Sequence, residues 1–374
     1  MQDPEEVLKE FIDHRKRLHR AEGINWSLPP KWYPPKADVL VVEVVGSKWK
    51  TTVAYLLAAN LSFFRKVGLF TSPHLMKVSE RIQIWRDGRS KPIADSELSA
   101  LLMEIRDRSV REKRNLSYFE ALFLASMAYF SQKGVGAIVL EAGLGGRLDA
   151  TNSVRNDVVV MTKLELEHTN ILGDSLESIL KEKAGVVKQE TKIVFAKADL
   201  SWEIYQRYIP TQKLVLVEAR SPEELAISVL KGLEMPIKVR KIRVPGRMER
   251  IRQGSRTLLL DVAHTPDSVE WVLDSVQGSG WWLVVSLAKD KDWRGIGEKI
   301  SFYSKKIAGL VMIGIDEDRF FSSYDLLSRF SGFLGGPTYG MDLSLFSEKA
   351  SFFPKQIVLG SHRLVGEVRR WFMG

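Results

Sequence analysis

Chemically versatile side chains stand directly after apolar segments of this chain, in glycine-rich sequence. The clearest case is Glu141, which follows the apolar run Ala137–Leu140 and opens the stretch Glu141-Ala-Gly-Leu-Gly-Gly-Arg-Leu-Asp-Ala-Thr-Asn152. The run lacks alternation, as expected of a parallel strand covered by helices on both faces. Ligands of such sheets bind beyond the carboxyl ends of the strands, so an acid and flexible backbone here predict a site. Taken alone, the glycine-rich turn is equally compatible with a structural role.

Four other segments repeat this arrangement. Only six histidines occur in the chain, and three of them, His74, His168 and His264, fall just beyond such a strand. One histidine in this position is more often structural, whereas three in one pattern favour a site. The segments are Val39–Val45 followed by Gly46-Ser-Lys-Trp-Lys-Thr-Thr52 and a helix over Val53–Phe64, Val67–Phe70 followed by Thr71-Ser-Pro-His-Leu75, Val158–Met161 leading to Glu167-His168-Thr169, and Leu258–Leu260 followed by Asp261-Val-Ala-His-Thr-Pro266.

The elements that would position these residues form two alternating sets of strands and helices. Met1–Arg20 predicts an amphipathic helix, and the prolines of Glu22–Lys36 predict a linker. From Asp38 to about Leu233 the alternation is typical of a nucleotide-binding α/β domain. A second set follows the segment Met235-Pro-Ile-Lys238, with strands near Leu258, Leu283, Leu310 and Ile357.

Composition excludes several classes of protein. The absence of cysteine excludes disulfides and thiolate zinc sites. The first ten residues are acidic and lack the apolar segment of a secretory leader, and no apolar run is long enough to span a membrane, so a cytoplasmic protein is expected. The net charge is +9, but the basic clusters are not interleaved with aromatic residues, so attraction of small anions is favoured over nucleic-acid binding.

The ordered set of motifs resembles the folylpolyglutamate synthase and dihydrofolate synthase branch of the Mur ligase superfamily. The family patterns F-T-S-P-H-L with E-R-I, E-x-G-L-G-G-R-L-D-A-T-N, E-K-A-G, P-G-R-x-E and D-G-A-H-N-P are similar to residues 70–82, 141–152, 182–185, 245–249 and 261–266, respectively. The terminal Gly360–Val368 also resembles the family's last strand and helix. The match runs in the correct order over roughly residues 40–374.

The resemblance implies a P-loop-type nucleotide-binding domain with a parallel-rich sheet, plus a smaller Rossmann-like α/β domain. The implied domains are 1–236, with an N-terminal helix and linker, and 237–374. The implied activity is an ATP-dependent amide ligase that adds L-glutamate to a folate or to dihydropteroate through an acyl phosphate. ATP and Mg²⁺ are the implied cofactors, and a monomer that binds small molecules, without nucleic-acid or membrane partners, is expected.

The resemblance also assigns roles to individual residues. Lys50 would bind the β- and γ-phosphates, and Thr52, or less favourably Thr51, would offer a hydroxyl to magnesium. Lys183 matches a lysine that the family carries as a carbamate, an anion able to approach a metal site. The full assignment is catalytic roles for Lys50, Lys183 and His168, nucleotide contacts at Gly46, Lys50, Thr51, Thr52, Asn152, Arg247, Asp261 and His264, and magnesium ligands at Ser72, Glu141, His168 and Lys183.

The sequence departs from the family pattern in the phosphate loop. Where the family has G-T-N-G-K-G-S, this chain has Lys48 and Trp49 before Lys50, and Thr51 after it. Glycine allows positive φ and close approach of phosphate, and a bulky residue in that conformation costs about 1 to 2 kcal/mol. The family's H-Q-x-x-N-A segment also lacks a clear counterpart near 218–226. The alternative to a working ligase is therefore a degenerate relative that binds a ligand or partner without turnover, and the pterin substrate stays open.

Overall fold

The computed structural model describes residues 2–11 and 31–373. The chain divides into two compact units, the first extending to Ile242 and the second starting at Arg243. The sequence analysis placed the change of domain between residues 236 and 237, in the segment that leaves the last helix of the first unit.

The first unit contains, within its described residues, an eight-stranded sheet in the order β4-β3-β2-β5-β1-β6-β7-β8. Six neighbouring strands are parallel to one another: β2, β5, β1, β6, β7 and β8. At one edge of the sheet β3 runs antiparallel to β2, and β4 runs antiparallel to β3. The strands are β1 (Leu40–Val45), β2 (Val67–Phe70), β3 (Ile82–Arg86), β4 (Arg89–Pro92), β5 (Ala137–Glu141), β6 (Val158–Met161), β7 (Ile193–Lys197) and β8 (Leu214–Val217).

Helices connect these strands and cover the sheet. Capping explains several of their boundaries, because Ser117 and Glu120 form a capping box at the start of the helix that begins at Tyr118, and Gly134 ends that helix in the left-handed conformation. The helices are α1 (Pro4–Leu8), α2 (Lys50–Leu61), α3 (Asp95–Arg111), α4 (Tyr118–Lys133), α5 (Thr169–Leu172), α6 (Leu176–Ala184), α7 (Trp202–Gln206) and α8 (Pro222–Gly232).

The N-terminal helix is shorter than the sequence predicted. Asp3 caps α1 through the backbone N–H of Glu5, and the helix ends at Leu8, with turn residues following to Phe11. The prediction of one helix up to Arg20 is therefore wrong for residues 9–11, and its remainder lies outside the described residues. The predicted linker is described only from Lys31 onward, where no regular element occurs before β1.

The second unit contains, in the part of the chain that the structure describes, a six-stranded sheet in the order β13-β12-β11-β14-β10-β9. All neighbours are parallel except β9 and β10. Its elements are β9 (Glu249–Gln253), β10 (Arg256–Leu260), α9 (Pro266–Ser275), β11 (Trp281–Val285), α10 (Trp293–Phe302), β12 (Ile307–Gly314), α11 (Ser323–Phe330), β13 (Thr338–Asp342), α12 (Leu343–Lys349), β14 (Lys355–Leu359) and α13 (His362–Met373).

The strand order explains how the first unit positions a site. β2, β5, β1 and β6 are neighbours, and they are parallel, so their carboxyl ends lie side by side at one edge of the sheet. The central β1 is buried along almost its whole length, as are β2, β5 and β6. Residues that follow these four strands are thereby brought together by main-chain hydrogen bonding and burial rather than by their own contacts.

Candidate active site

The loop between β1 and α2 is drawn tightly against the end of β6. The backbone N–H groups of Ser47 and Lys48 both donate to the carbonyl oxygen of Lys163, at 2.9 and 3.1 Å. Lys50, the first residue of α2, folds its side chain back so that Nζ donates to the Gly46 carbonyl at 2.8 Å and to the Ser47 carbonyl at 3.2 Å. A helix N-terminus and an ammonium group thus face the same turn, an arrangement suited to phosphate oxygens.

Gly46 cannot be replaced in this loop without a clash. Its φ is +149°, and a Cβ atom at this position would lie 1.9 Å from Thr162 Oγ1. Thr162 uses that hydroxyl to donate to the Lys48 carbonyl at 2.6 Å, which ties the loop to the residue after β6. The absence of a side chain at Gly46 is therefore a packing requirement as well as a conformational one.

Trp49 adopts the conformation that the sequence analysis associated with glycine. Its φ and ψ are 76° and −9°, in the left-handed region, and it caps α2 without a side-chain hydrogen bond. Its ring lies 5.7 Å from the ammonium of Lys197, which is paired with Asp199 at 2.5 Å. The backbone has accepted a bulky residue at a cost of about 1 to 2 kcal/mol.

Glu141 joins three elements at the edge of the sheet. One carboxylate oxygen accepts from the hydroxyl of Thr51, in the first turn of α2, at 2.8 Å, and the other accepts from the backbone N–H of Ser72, after β2, at 3.3 Å. Only 1% of Glu141 is exposed. The structure thus brings together Glu141, Thr51 and Ser72, three of the predicted site residues, and it is Thr51 rather than Thr52 whose hydroxyl bonds to the carboxylate.

Lys183, from a different helix, contacts the same loop. It is in the last turn of α6, only 2% exposed, and its Nζ donates to the Gly46 carbonyl at 2.8 Å. Two ammonium groups, those of Lys183 and Lys50, therefore approach one carbonyl oxygen. Burial, and then the charge of Lys50, lower the pKa of Lys183 to about 7, against the opposing attraction of Glu167 and Asp149.

Glu167 supplies the negative charge beside these lysines. One of its oxygens lies 3.5 Å from Lys48 Nζ. Burial raises the pKa of Glu167, but the nearby charges of Lys50, Lys48, Lys183 and His168 outweigh that effect, so the pKa lies below its ordinary value. His168 itself is in the left-handed conformation, with φ of 51°, where it caps α5. The predicted residue His168 therefore lies at the edge of the charged cluster around the loop.

Asn152 fastens the glycine-rich loop to the end of α6. Its amide nitrogen donates to the carbonyls of Arg147 and Gly185, at 2.8 and 3.2 Å. Its Oδ1 is buried and has no hydrogen-bond partner among the described residues. The amide thus has a structural contact on one side and an available acceptor on the other, while its predicted nucleotide contact stays a prediction.

His74, the first of the histidines noted in the sequence, has its own partners in the first unit. His74 bonds to Arg81, whose Nε donates to His74 Nδ1 at 3.0 Å, and its Nε2 lies 3.8 Å from Glu5. Burial, and then the positive charge of Arg81, lower the pKa of His74 to about 3. Across residues 2–11 and 31–373 no group of three or more histidine and acidic side chains forms a metal cluster.

The predicted residues of the second unit form their own arrangement at the end of β10. Asp261 accepts from the backbone N–H groups of Met248 and Ala263, each at 2.8 Å. His264 Nδ1 lies 2.8 Å from the Val262 carbonyl, which only accepts, so Nδ1 carries a proton. These bonds connect the end of β10 to the turn that contains Arg247.

The turn around Arg247 is held by an acid that the sequence analysis did not single out. Glu249 is only 2% exposed, and it accepts from Gly246 N at 2.9 Å. The same carboxylate accepts from Arg369 Nε on α13, at 2.9 and 3.2 Å from its two oxygens. The signal available in the sequence was the acid that ends the motif Pro245–Glu249.

Sequence reasoning also missed Glu43, which lies inside β1 and is completely buried. It bonds to Thr151 and Asn156, and it connects the central strand to the glycine-rich loop. The available signal was a single acid in an otherwise apolar buried strand, which needs hydrogen-bond partners when it is removed from water.

Known proteins resemble this chain in sequence and in fold. No family model matches the chain. It is 31% identical over 324 residues, covering 75% of this chain and 77% of the relative, to a dihydrofolate synthase/folylpolyglutamate synthase of Buchnera aphidicola subsp. Acyrthosiphon pisum (strain APS).

Two solved structures are similar along almost the whole chain. E. coli FolC in complex with DHPP and ADP has a TM-score of 0.78 at 22% identity, and the match covers 99% of this chain and 97% of that one. A bifunctional folylpolyglutamate synthase/dihydrofolate synthase with Mn, AMPPNP and L-glutamate bound has a TM-score of 0.75 at 23% identity, with 99% and 98% covered. The predicted fold class is confirmed.

Proposed function

The chain belongs to the dihydrofolate synthase/folylpolyglutamate synthase family, and we propose that it is an ATP-dependent ligase that joins L-glutamate to dihydropteroate or to a folate. Of the similar solved structures, one holds DHPP and ADP, and another holds Mn, AMPPNP and L-glutamate. The observation that carries the proposal is that Lys50 and Lys183 both donate to the Gly46 carbonyl, while Glu141 accepts from Thr51 in the adjoining first turn of α2.

The proposed reaction has two steps. A substrate carboxylate oxygen attacks the γ-phosphorus of ATP, ADP leaves, and an acyl phosphate forms. The amino group of glutamate then attacks the acyl carbon, phosphate leaves, and one proton is lost from nitrogen. Negative charge develops on the phosphoryl oxygens in the first step, so fixed cations and N–H donors stabilise its transition state.

Lys50 is proposed to take that role. Its ammonium is held over the loop by the Gly46 and Ser47 carbonyls, both of which can be exchanged for phosphate oxygens. The first N–H groups of α2 add donors that the helix leaves unpaired. Arg247, Asp261 and His264 are proposed as further nucleotide contacts. The proposed domains are a nucleotide-binding domain of residues 1–236 and a second domain of residues 237–374.

A divalent cation fits the donors around Glu141. The buried carboxylate and the Thr51 hydroxyl are oxygen donors, which Mg²⁺ prefers, and Ser72 adds a hydroxyl from the end of β2. His168 and a modified Lys183 complete the proposed set, with Thr52 as the alternative hydroxyl. When bound, the ion neutralises charge on the phosphate oxygens, while these side chains fix its position.

Lys183 is proposed to carry a carbamate. Only the neutral amine reacts with carbon dioxide, in a step where nitrogen bonds to carbon and releases a proton. Because burial and Lys50 lower the pKa of Lys183 to about 7, a large neutral fraction exists near neutral pH. The product is an anion, which relieves the repulsion between two ammonium groups at the Gly46 carbonyl.

The remaining proposals concern association and location. We propose that the protein is a monomer and that it is located in the cytoplasm. We expect it to bind neither nucleic acid nor membranes. No helix in residues 2–11 and 31–373 is long and apolar enough to cross a membrane. Sedimentation equilibrium with and without substrates measures the oligomeric state, and a dimer at micromolar concentration would contradict it.

The decisive experiment is phosphate release from ATP that depends on glutamate. Dihydropteroate and tetrahydrofolate are supplied separately, with Mg²⁺ and bicarbonate, and the product is identified by the added mass of glutamate. Release with either acceptor supports the ligase and names its substrate. Binding of ATP and a pterin with no release in any combination would instead identify the degenerate relative, which the strained Trp49 had suggested.

A further inference from the structure

A threonine hydroxyl lies between two buried carboxylates beneath the candidate active site. Thr151 Oγ1 is 2.8 Å from Glu43 Oε1 and 2.9 Å from Asp149 Oδ1. All three side chains are buried, and Glu43 and Thr151 are completely inaccessible. A hydroxyl carries one proton and can donate it to only one of the two acids. If both acids were ionised, one of them would face a lone pair at hydrogen-bond distance in a buried setting.

The hydrogen bonds around Asp149 favour its ionised form. Its Oδ2 accepts from the backbone N–H groups of Gly143 and Leu144, at 2.9 and 3.0 Å, and its Oδ1 accepts from Thr151 N at 3.1 Å. Burial keeps the pKa of Asp149 above its ordinary value, although these hydrogen bonds lower it. An acid with three backbone donors is a poor place for a proton. The shared proton therefore belongs on the other acid.

Glu43 has the surroundings of a protonated acid. It lies in the middle of β1, and its Oε2 accepts from Asn156 Nδ2 at 2.6 Å. Burial raises the pKa of Glu43 to about 7, against the opposing charge of Lys188 and the bonds from Thr151 and Asn156. The charged groups that face it are Asp149 from the loop and Lys188 from the segment after α6.

Lys188 is occupied elsewhere and does not form an ion pair with Glu43. Its ammonium donates to the carbonyl of Val154, and the charges of Glu43, Glu190 and Lys31 act on it at longer range. Asn156 is fixed as well, because its Oδ1 accepts from Thr191 Oγ1 at 2.5 Å. The polar groups around Glu43 are thus held in place, and the proton on Glu43 determines whether the network is satisfied.

We propose that Glu43 is a positioning residue for this active site: its protonated carboxyl donates to Thr151, Thr151 donates to Asp149, and Asp149 holds the N–H groups of Gly143 and Leu144. The chain fastens the start of the glycine-rich loop, two residues after Glu141, to the strand that leads into the phosphate loop. Its effect on turnover rests on the proposed function, whereas the proton chain itself does not.

The direction of the pH dependence follows from the geometry. Below the pKa of Glu43 the chain is complete and the loop is fastened. As the pH rises through about 7, ionisation of Glu43 places two carboxylates against one hydroxyl, and the loop loosens. Lys183 titrates in the same range, so the total pH dependence of the protein cannot identify the group, and matched variants are required.

Three substitutions separate the possibilities. Glu43→Gln reproduces the protonated acid, because its amide nitrogen can donate to Thr151 while its oxygen accepts from Asn156. Thr151→Val removes the hydroxyl at nearly constant volume, and Thr151→Ser retains it. None of these changes alters Lys183.

The experiment is amide hydrogen exchange of Gly143 and Leu144 in the full-length, ligand-free protein. Measured over about pH 6 to 8.5 and corrected for intrinsic rates, protection in the wild type should fall by about tenfold or more around pH 7. Glu43→Gln should keep its protection throughout, Thr151→Ser should follow the wild type, and Thr151→Val should be poorly protected at every pH. Parallel profiles for the wild type and Glu43→Gln would overturn the proposal.

A second measurement uses only the wild-type protein, so it does not depend on whether the variants fold. The carboxyl ¹³C resonance of Glu43 in the wild type should titrate near 7, and a midpoint at the ordinary value of 4.5 would overturn the proposal. Neither measurement uses ATP, glutamate or a pterin. If the ligase assay fails while the proton chain is observed, the proposed function is wrong and this inference stands.

Discussion

The loop 46–49 after β1 and the loop 142–152 after β5 are neighbours at one edge of the sheet, but they are held in different ways. The first is held by main-chain bonds to Lys163 and by two ammonium groups on the Gly46 carbonyl. The second is held by side-chain acceptors and donors, chiefly Asp149 and Asn152.

The two loops also differ in which residue takes the left-handed conformation. In the first loop a bulky residue, Trp49, has a φ of 76° in addition to the positive φ of Gly46, and in the second loop the positive φ of 69° belongs to Gly145. The first loop therefore carries backbone strain at Trp49 and positive charge that a phosphate ligand can neutralise, whereas the left-handed residue of the second loop is an unstrained glycine. Changes in the first loop should act mainly on ligand binding, and changes in the second mainly on stability.

The largest effect is expected at Glu141, which precedes the second loop and bonds to Thr51 in the helix that follows the first. Glu141→Ala should reduce glutamate-dependent phosphate release by at least about 100-fold, because it removes a ligand from the proposed metal site and little core volume. Circular dichroism should show an intact fold. Glu97→Ala, which removes an acid paired with Lys133 on the surface, is the control and should leave turnover unchanged. Wild-type turnover of Glu141→Ala in magnesium would refute the site.

The second prediction concerns the proposed carbamate on the amine of Lys183, beside the first loop. The intact folded protein should carry the added mass of one carbon dioxide, and acid should release it. Lys183→Ala should lose turnover by at least about tenfold and regain part of it with acetate, a carboxylate that can occupy the vacated space. Unmodified Lys183 in protein prepared with bicarbonate, together with no rescue, would contradict the carbamate.

The buried amine also has a consequence for stability in buffer free of carbon dioxide. Because the pKa of Lys183 is lowered from 10.5 to about 7, the folded state loses stability relative to the unfolded chain as the pH falls from 10.5 to 7, and the loss is complete below 7. Lys183→Met should therefore raise Tm at pH 7, by about 2 to 4 °C for each kcal/mol of penalty removed. The gain should shrink toward pH 10. A gain that does not change with pH would exclude a titrating amine.

Substitution of Trp49 measures how much the left-handed backbone at this residue weakens nucleotide binding. Trp49→Gly should tighten binding of a non-hydrolysable ATP analogue with magnesium, by up to about tenfold for each 1.4 kcal/mol of strain removed. Lys113→Gly is a matched control, since Lys113 is exposed, has a positive φ of 51° and bonds through its backbone N–H to Val110 in the turn after α3. It should raise stability without changing nucleotide affinity. Unchanged or weaker binding by Trp49→Gly would show that the indole is accommodated without strain.

The smallest effect is expected from Gly145 of the second loop, for which Gly134, at the end of α4, is the reference. Gly134→Ala places a side chain at φ of 61° with nothing within 4 Å, and should cost about 1 kcal/mol of unfolding free energy. Gly145→Ala meets Leu172 at 3.2 Å in addition, so it should cost more. Chemical denaturation of both variants measures the difference. Equal costs would mean that Leu172 moves aside freely.

The sequence predicted the fold well because the strands carry a strong local pattern. The runs Val67–Phe70 and Val158–Met161 are strands with those bounds, and the glycine-rich stretch after Glu141 lies where a parallel sheet places ligands. Helix ends were less predictable. α2 begins at Lys50 rather than at Val53, and α1 ends at Leu8 rather than near Arg20, because capping and contacts across the chain decide where a helix stops.

The site was predicted less completely than the fold. Residue type and order identified Lys50, Glu141 and Lys183, and the structure brings their surroundings together at one edge of the sheet. The sequence pattern favoured Thr52 over Thr51 for the hydroxyl beside the site, whereas the bond to Glu141 comes from Thr51, since the rotation of α2 decides which hydroxyl faces β5. His74 shared the pattern of His168 but is bound to Arg81 instead.

By itself, the sequence determined the family, the α/β alternation and the residues that follow each strand, because these depend on local pattern and on the order of motifs. Only the tertiary structure decided which side chains share a proton, a carbonyl or a charge. Glu43 and Thr151 are 108 residues apart in the chain, and Lys183 and Gly46 are 137 apart, yet each pair is in hydrogen-bond contact. Burial in a common core creates these contacts, and with them the altered pKa values of Glu43 and Lys183.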